Sequence, residues 1–455
     1  MPRKVFISFL GTNNYVLCKY NINGKVSRPV RFVQEALIEH LCNDWSAEDR
    51  IFIFCTSQES TGEIGSSEIN WLDNGQAKIS DESEKIGLQH CLKELNMQAL
   101  VEKIDIKAGF SEDEIWDIFN TVYSQLLPGD EIYFDVTHAF RSIPLFSIVL
   151  FNYSRFMKRT RLASILYGAF EKLGPAYKVK DLPIEERVAP VIDLTNIARL
   201  QEYNQIAGGL KDFGKAKKLT AAIAGRKNTS TDQAVAQLRN AISELDEFIA
   251  TIDLKEIKKG AFVSKFRNNY KSVKKRQEIV VPIMNILDEL YKETEDFVCA
   301  DDYRNIEAAI NWTIKHDMLM QAYPLAEEYI ILRVHDQFLD LKPSGLSSKE
   351  FRQFVSSILG MNQTDFVHKN WKYDAARFPE VANELANDDL VKGLRPIYNP
   401  IRESRNSLAH GNGAIKYKEL KKGIPRILKG IQYINPDYEQ YPSTQYIINN
   451  LCSKI

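Results

Sequence analysis

Two short stretches of this chain carry the side chains best suited to chemistry. Residues 135–141 read Asp-Val-Thr-His-Ala-Phe-Arg, which gathers a hydroxyl, an imidazole and a guanidinium of the kind that bind phosphate. Residues 405–410 read Arg-Asn-Ser-Leu-Ala-His. An imidazole moves protons near pH 7 and a guanidinium stabilises developing negative charge, so this pair has the groups needed to cleave RNA without a metal ion. Alone, the second pattern is weak, because an isolated helical histidine is usually structural.

The sequence around the first stretch predicts a strand that leads into a helix. Residues 132–136 alternate apolar and polar side chains after a Pro-Gly-Asp turn, which is typical of a β-strand. Helical spacing of apolar residues follows, with Ser142 as the predicted N-cap. Thr137, His138 and Arg141 are therefore expected at the carboxyl end of a strand, just before a helix N-terminus. Nucleotides and phosphates bind there in open α/β sheets.

The second stretch is predicted to form most of a short helix. Asn399 would cap it, Pro400 would occupy its first position and Gly411 would end it, which follows the usual placement of these residue types. His410 then lies in the last turn. The helix dipole favours a positive charge there, so we expect a raised imidazole pKa suited to a proton donor.

The spacing within this helix suggests a dimeric site. Asn406 lies four residues before His410 and shares its face, whereas Arg405 is offset from His410 by about 140°. Arginine and histidine would converge better across a two-fold axis than within one helix.

Hydrophobic patterning predicts two structurally different halves. The first half alternates strands and helices, which indicates a mostly parallel, doubly wound sheet; an Asn-Gly hairpin at 23–24 is inserted after the first strand, and 176–179 is a candidate edge strand. From about residue 195 the pattern is helical. Basic stretches at 211–228 and 255–276 are predicted to be looser connecting regions, and a solvated helix face is the favoured explanation of their many lysines.

Composition excludes several classes of protein. A net charge of -1 over 455 residues argues against a globally basic nucleic-acid binder, although it allows a local basic groove. The six cysteines show no CxxC spacing, so neither a zinc site nor a disulfide framework is expected. No signal-like or membrane-length apolar run occurs, and a cytoplasmic protein is expected. Walker, GxGxxG and GxSxG motifs are absent from the sequence.

Both stretches resemble motifs of known families. Residues 135–141 resemble the Asp-x-Thr-His-x-Phe-Arg signature of CRISPR-associated Rossmann-fold (CARF) sensors of type III systems, and residues 405–410 resemble the Arg-x4-His motif of HEPN ribonucleases. Residues 8–12, 167–171 and 192–195 also look familial. Ala139 departs from the pattern, since many relatives have glycine there; its methyl group would narrow the pocket but removes no donor.

The resemblance implies an α/β Rossmann-like CARF domain followed by an all-α HEPN domain. The expected boundaries are 1–195 for the CARF domain, 196–300 for a helical linker and 301–455 for the HEPN domain. Relatives with this architecture are homodimers in which a cyclic oligoadenylate, bound by the CARF domains, switches on cleavage of single-stranded RNA. The resemblance favours a ring of four adenylates over six, and no metal or other cofactor is expected.

The resemblance also assigns roles to particular residues. The residues expected to bind cyclic oligoadenylate are Gly11, Thr12, Asn13, Ser57, Gln58, Thr137, His138 and Arg141. The residues expected to cleave RNA are Arg405, Asn406 and His410. Asp135 is expected to hold the loop rather than to touch phosphate, because its charge would repel the ligand. Lys392, Arg395 and Arg402 are candidates to guide RNA or ordinary surface charges.

Other interpretations remain open at this stage. The chain would be a sensor without nuclease activity if Arg405 and His410 were structural. The sensor domain would also degrade its own activator if Thr137 or His138 oriented a 2′-hydroxyl for attack. A metal site formed by Trp312, His316, Asp317 and Glu327 is a weaker possibility, because their spacing suits one amphipathic helix.

Overall fold

The computed structural model shows an α/β unit followed by a helical unit. They are Met1–Glu202 and Tyr203–Ile455. The residues that the structure describes are 2–12, 15–56, 67–72, 86–138, 143–224, 233–277, 279–361, 373–410 and 415–452.

An eight-stranded sheet forms the centre of the first unit. In chain order its strands are β1 (Lys4–Phe9), β2 (Lys19–Ile22), β3 (Lys25–Val26), β4 (Arg50–Thr56), β5 (Leu100–Ile106), β6 (Glu131–Asp135), β7 (Arg161–Gly168) and β8 (Val188–Asp193). They are arranged in the order β3-β2-β8-β7-β6-β1-β4-β5. Only the β2–β3 and β7–β8 pairings are antiparallel, so the predicted mostly parallel sheet is confirmed.

Helices cover both faces of this sheet, as a doubly wound pattern requires. Phe6 of β1 packs into the core on one face, whereas Val5 and Ile7 pack into the core on the other. A strand buried on both faces consists of a continuous apolar run, which is why β1 can be predicted from the sequence. The helices of this unit are α1 (Val33–Leu41), α2 (Glu68–Leu72), α3 (Leu88–Glu94), α4 (Glu112–Gln125), α5 (Ile143–Lys158), α6 (Ala176–Val179) and α7 (Thr195–Ala198).

The part of the sheet beyond β7 differs from the prediction. Ala176–Val179 is a short helix, not an edge strand, because Pro175 begins a turn in which the N–H of Val179 bonds back to the Pro175 carbonyl. β8 pairs with β7 instead, antiparallel to β7 and parallel to β2, and β3 forms this edge of the sheet. The predicted Asn-Gly hairpin is confirmed, with Asn23 at φ 52° and Gly24 at φ 88°, as a type I′ turn requires.

The second unit consists of helices around one hydrophobic core. They are α8 (Leu200–Phe213), in which the boundary between the units falls, and α9 (Lys217–Ala224), α10 (Gln233–Thr251), α11 (Leu254–Lys259), α12 (Ala261–Arg276), α13 (Val281–Glu293), α14 (Arg304–Lys315), α15 (Leu319–Gln337), α16 (Ser348–Leu359), α17 (Tyr373–Arg377), α18 (Pro379–Asn387), α19 (Asp389–His410), α20 (Tyr417–Ile434) and α21 (Pro442–Asn450). The finer division of this half at residue 300 stays a prediction.

The basic stretch 255–276 is not a loose connection. It forms α11 and α12, and Phe262, Phe266, Tyr270 and Val273 of α12 are buried at helical spacing. Its lysines therefore line the solvated face of a packed helix, which is the explanation that the sequence favours for them.

The helix that carries the second motif is longer than predicted. α19 begins at Asp389, after Asp388 accepts hydrogen bonds from the N–H groups of Leu390 and Val391. Asn399 therefore does not cap a helix, and Pro400 lies inside one. The prolines give a strong start signal, but a buried stripe continues across them and packing overrides local propensity. That stripe consists of Val391, Leu394, Ile397, Tyr398 and Ile401.

Candidate functional site

The first candidate site lies at the carboxyl ends of β1 and β6, which pair with Ser8 opposite Asp135. The Asp135 carboxylate is buried and accepts hydrogen bonds from the Ser8 hydroxyl at 2.8 Å, the Thr137 hydroxyl at 2.6 Å and the Thr137 N–H at 3.0 Å. Burial raises the pKa of Asp135, and these hydrogen bonds oppose the rise. Asp135 therefore faces inward and fixes the start of the loop.

Thr137 connects this loop to the next strand. Its hydroxyl donates to Asp135 and accepts a hydrogen bond from the N–H of Gly168, at the end of β7, at 2.8 Å. Both bonds use the side chain of one threonine, so the loop after β6 is tied to two parts of the sheet.

Gly11 and His138 approach each other across the ends of β1 and β6. The Gly11 N–H donates to the Tyr15 hydroxyl at 2.8 Å, and the Asn70 side-chain amide donates to the Gly11 carbonyl at 2.8 Å. The Tyr15 and His138 rings meet edge to face, with centroids 4.6 Å apart. A Cβ at position 11 would lie 2.7 Å from the Tyr15 hydroxyl and 3.2 Å from the His138 Cβ. This close approach requires glycine.

His138 presents an unusual nitrogen. Its Nε2 is buried and makes no hydrogen bond to any residue that the structure describes. Burial lowers the pKa of His138 to about 4, so the imidazole is neutral near pH 7. A buried polar atom without a partner is costly, and a ligand that supplies one would recover that cost.

The structure brings together some of the residues predicted to bind the activator. Gly11, Thr137 and His138 lie together at the carboxyl ends of β1 and β6, and the exposed Thr12 directly follows Gly11. The predicted positions Asn13, Ser57, Gln58 and Arg141 lie outside the described residues. Sequence reasoning missed Tyr15 and Asn70. Tyr15 follows the predicted loop closely enough to have been considered, whereas no sequence pattern links Asn70 to Gly11.

The second candidate site is built around Arg405 on α19. Its Nε lies 2.5 Å from Oε2 of Glu327 and its Nη2 lies 3.1 Å from Oε1. The Glu327 side chain is 1% exposed, whereas that of Arg405 is 34% exposed. The hydrogen bond to Glu327 raises the pKa of Arg405. A two-point contact of this kind fixes the plane of the guanidinium.

Glu327 is itself held from the other side. The Tyr398 hydroxyl donates to Oε1 of Glu327 at 3.3 Å and also contacts the Ser356 hydroxyl at 2.9 Å. The carboxylate therefore joins α15 to α19, and the Tyr398 hydroxyl connects this contact to α16.

His410 is the final residue of α19. It lies in the last turn, as the sequence predicts, although its side chain lies outside what the structure describes. The partly exposed Asn406 is one turn earlier on the same helix face.

The weak metal-site hypothesis is not supported by the packing. Glu327 binds Arg405, while the His316 Nδ1 lies 3.2 Å from the Lys211 carbonyl and Asp317 pairs with Lys421. Within the described ranges, no group of three or more metal-binding side chains is found.

The residues proposed to guide RNA fall into different environments. Arg395 donates to the Ala386 carbonyl at 2.8 Å and to the Ile358 carbonyl at 3.4 Å, and burial lowers its pKa. It thus ties α19 to two neighbouring helices and is not an ordinary surface charge. Lys392 is exposed and Arg402 is partly exposed.

Comparison with known proteins gives limited results. No family model matches the chain. The chain is 28% identical over 197 residues to CRISPR-associated protein MJ1674 of Methanocaldococcus jannaschii, a match that covers 42% of this chain. It covers only 28% of that relative. A solved structure of Enterococcus italicus Csm6 bound to cyclic hexa-2'-fluoro-hexa-dAMP superposes with a TM-score of 0.44 at 11% identity, over 99% of each chain. A superposition this loose establishes neither fold nor function.

None of the described helices has the length and apolar character needed to span a membrane.

Proposed function

We propose that this protein is an endoribonuclease of type III CRISPR defence that is activated by cyclic oligoadenylate and cleaves single-stranded RNA without a metal ion. The observation that carries the proposal is the anchoring of Arg405 on the buried carboxylate of Glu327, in a helix that ends at His410. A pure sensor needs neither an oriented, partly exposed guanidinium nor a histidine at that position. Similarity to a CRISPR-associated protein supports the cellular setting.

The activator would bind at the end of the sheet. Gly11 allows Tyr15 and His138 to pack against the end of β1, and the neutral His138 offers its Nε2, which has no partner among the described residues, as a hydrogen-bonding group. α5 begins soon afterwards in the sequence, at Ile143, and its N-terminal dipole would favour the phosphates. We favour a ring of four adenylates, with six as the alternative. Two-fold symmetry of the ring would match a two-fold protein dimer.

An apolar face on the α/β unit supports the dimer. Helices α4 and α5 expose large apolar side chains, and the Phe119 and Tyr123 rings of α4 contact Tyr153 of α5 at 5.7 and 5.4 Å. Exposed apolar surface of this kind marks an interaction site. We call it the α4–α5 face, and propose that a second copy of the chain covers it. Its exposed members are Trp116, Val149, Tyr153, Phe156 and Met157.

The RNA itself would supply the nucleophile. Its 2′-hydroxyl attacks the adjacent phosphorus, the bond to the 5′-oxygen breaks, and the products are a 2′,3′-cyclic phosphate and a 5′-hydroxyl. His410 would transfer a proton in this step, and Arg405 would stabilise charge on the phosphorane. Asn406 would contact the substrate from the same face as His410. Glu327 would keep the Arg405 guanidinium in position.

The deciding experiment is a cleavage assay with labelled single-stranded RNA and purified protein. Reactions would contain no activator, cyclic tetra-adenylate or cyclic hexa-adenylate, each with and without EDTA. We expect activator-dependent cleavage that survives EDTA, and no cleavage of RNA in which hydrogen replaces the 2′-hydroxyls. Cleavage abolished by EDTA, or none with either ring, would overturn the proposal.

A further inference from the structure

Helix α20 carries a row of basic side chains along one face. Lys418, Lys422, Arg426 and Lys429 follow at intervals of four, four and three residues, and all are exposed. This spacing places them one above another on a helix. We call these four residues the basic stripe. The opposite face is apolar and buried, and it consists of Leu420, Ile424, Ile427, Leu428 and Ile431.

The charge of the stripe is largely uncompensated. α20 contains five basic residues and one acidic residue, in a chain whose net charge is -1. The acidic residue, Glu419, contacts Lys422 at 2.9 Å. Among the residues that the structure describes, Lys418, Arg426 and Lys429 form no ion pair. α20 therefore carries a local positive potential, which is the charge distribution that attracts a polyanion.

The stripe runs alongside the helix that holds the candidate nuclease motif. α19 and α20 are antiparallel neighbours: the Tyr433 hydroxyl donates to the Asp389 carbonyl at 3.2 Å, and Gly430 packs close to Ile397. The Lys429 end of the stripe thus lies near the start of α19. The Lys418 end lies towards the end of α19 that carries His410.

Two further features fit a single strand of nucleic acid. From Lys418 to Lys429 the stripe is about 16 Å long at ~1.5 Å per residue, which matches roughly five stacked nucleotides at ~3.4 Å each. Tyr433 extends the same face, with 47% of its surface exposed while its hydroxyl is bonded to the backbone. A basic track ending in an exposed aromatic ring is the usual combination for binding single strands without sequence preference.

We infer that the basic stripe binds the phosphate backbone of single-stranded RNA and leads it towards Arg405 and His410. This inference rests on the proposed function, because it assigns the route by which that site receives its substrate. The partner is recognised by charge and spacing, so binding is strong at low salt and independent of base sequence.

The test compares two triple variants of equal charge change. The stripe variant carries Lys418→Ala, Arg426→Ala and Lys429→Ala; the control carries Lys255→Ala, Lys271→Ala and Lys275→Ala, which remove exposed lysines from α11 and α12. Binding is followed by fluorescence anisotropy with a labelled RNA bearing 2′-O-methyl groups, which is not cleaved. We expect the stripe variant to bind about 10- to 100-fold more weakly at low salt. Its slope of log affinity against log salt should fall by about 2, for three lost contacts to a single strand.

The outcomes separate this inference from the proposed function. If the stripe variant alone loses affinity, the basic stripe binds RNA, even if the wild type never cleaves RNA. Unchanged affinity and salt slope in the stripe variant, or an equal loss in the control, overturns it. So does a loss seen only with anionic vesicles and not with RNA, because the stripe would then bind a membrane surface. If the wild type does cleave RNA, the stripe variant should raise KM about 10-fold or more and leave kcat and activator binding unchanged.

Discussion

The guanidinium of Arg405 and the carboxylate of Glu327 form a two-point contact at 2.5 and 3.1 Å, with the carboxylate buried and the arginine side chain partly exposed. Glu327→Gln would keep the shape but remove the charge that orients Arg405. We expect kcat for RNA cleavage to fall about 10- to 100-fold, with KM and activator affinity unchanged, as for loss of a group that orients another. Glu403→Gln, which changes an exposed residue of the same helix, is the control. Equal kcat in wild type and Glu327→Gln would show that Arg405 needs no orientation.

The two motif residues themselves should divide the work of catalysis. His410→Ala removes the proton-transfer group and Arg405→Ala the charge stabiliser, and loss of acid-base help alone typically costs about 10²- to 10⁴-fold in rate. Both variants should retain activator affinity by calorimetry, because the activator is assigned to the other unit. Full RNase activity of His410→Ala would end the nuclease assignment at this motif.

The neutral state of His138 has a consequence for stability. Its folded pKa, about 4, lies below the ordinary value of 6.5, so the unfolded chain binds more protons as pH falls below about 6.5. Stability should therefore decrease between about pH 6.5 and about pH 4, and this residue alone should contribute up to about 2 kcal/mol of the loss by about pH 5. Denaturation of wild type and His138→Gln at several pH values measures this contribution to the free energy of unfolding. Identical pH profiles would mean that His138 is freely protonated in the folded state.

Gly11 should tolerate no side chain. In Gly11→Ala the new Cβ would meet the Tyr15 hydroxyl and the His138 Cβ, so we expect activator affinity to fall at least 10-fold. The double variant Gly11→Ala, Tyr15→Phe removes the closest clash and should recover part of the loss. Calorimetry on both single variants and the double variant gives the coupling between the two positions. Unchanged activator affinity in Gly11→Ala would place the ligand elsewhere.

The α4–α5 face should hold the dimer together. Phe156→Glu places a charge at a position that is 61% exposed in the single chain, and burying an unpaired charge in an interface is costly. We expect sedimentation to show monomers and activator affinity to drop more than 10-fold. Tyr177→Glu, on an equally exposed aromatic residue outside this face, should remain dimeric. A dimeric Phe156→Glu protein would show that the α4–α5 face is not the dimer interface.

The parts of the fold that are visible in the sequence are those with a strong local pattern. The buried strands β1 and β4 follow from apolar runs, β6 follows from an alternating run after a turn, and the hairpin follows from Asn23-Gly24. α19 is longer than the sequence predicts, because Pro400 gives a local start signal whereas a stripe of buried side chains continues through it. Local signals predict boundaries poorly wherever tertiary packing decides them.

The candidate sites were only partly visible for a related reason. Thr137, His138 and Arg405 stand out by type and spacing. Their partners do not, because Asn70 reaches Gly11 across 59 positions and Glu327 reaches Arg405 across 78. Contacts over such separations depend on how elements pack, and the pattern of a single sequence does not encode which side chains will meet.

The hydrogen bond between Ser8 and Asp135 joins residues 127 positions apart. A nascent chain leaves the ribosome from its N-terminus. β1 therefore cannot pair with β6 until β6 has been synthesised, and Thr137 cannot bond to Gly168 until β7 is complete. Contacts of such long range make folding slow. The loop that would sense the activator thus takes shape only when nearly the whole first unit has been synthesised. A truncated chain that ends before β7 would have no working sensor.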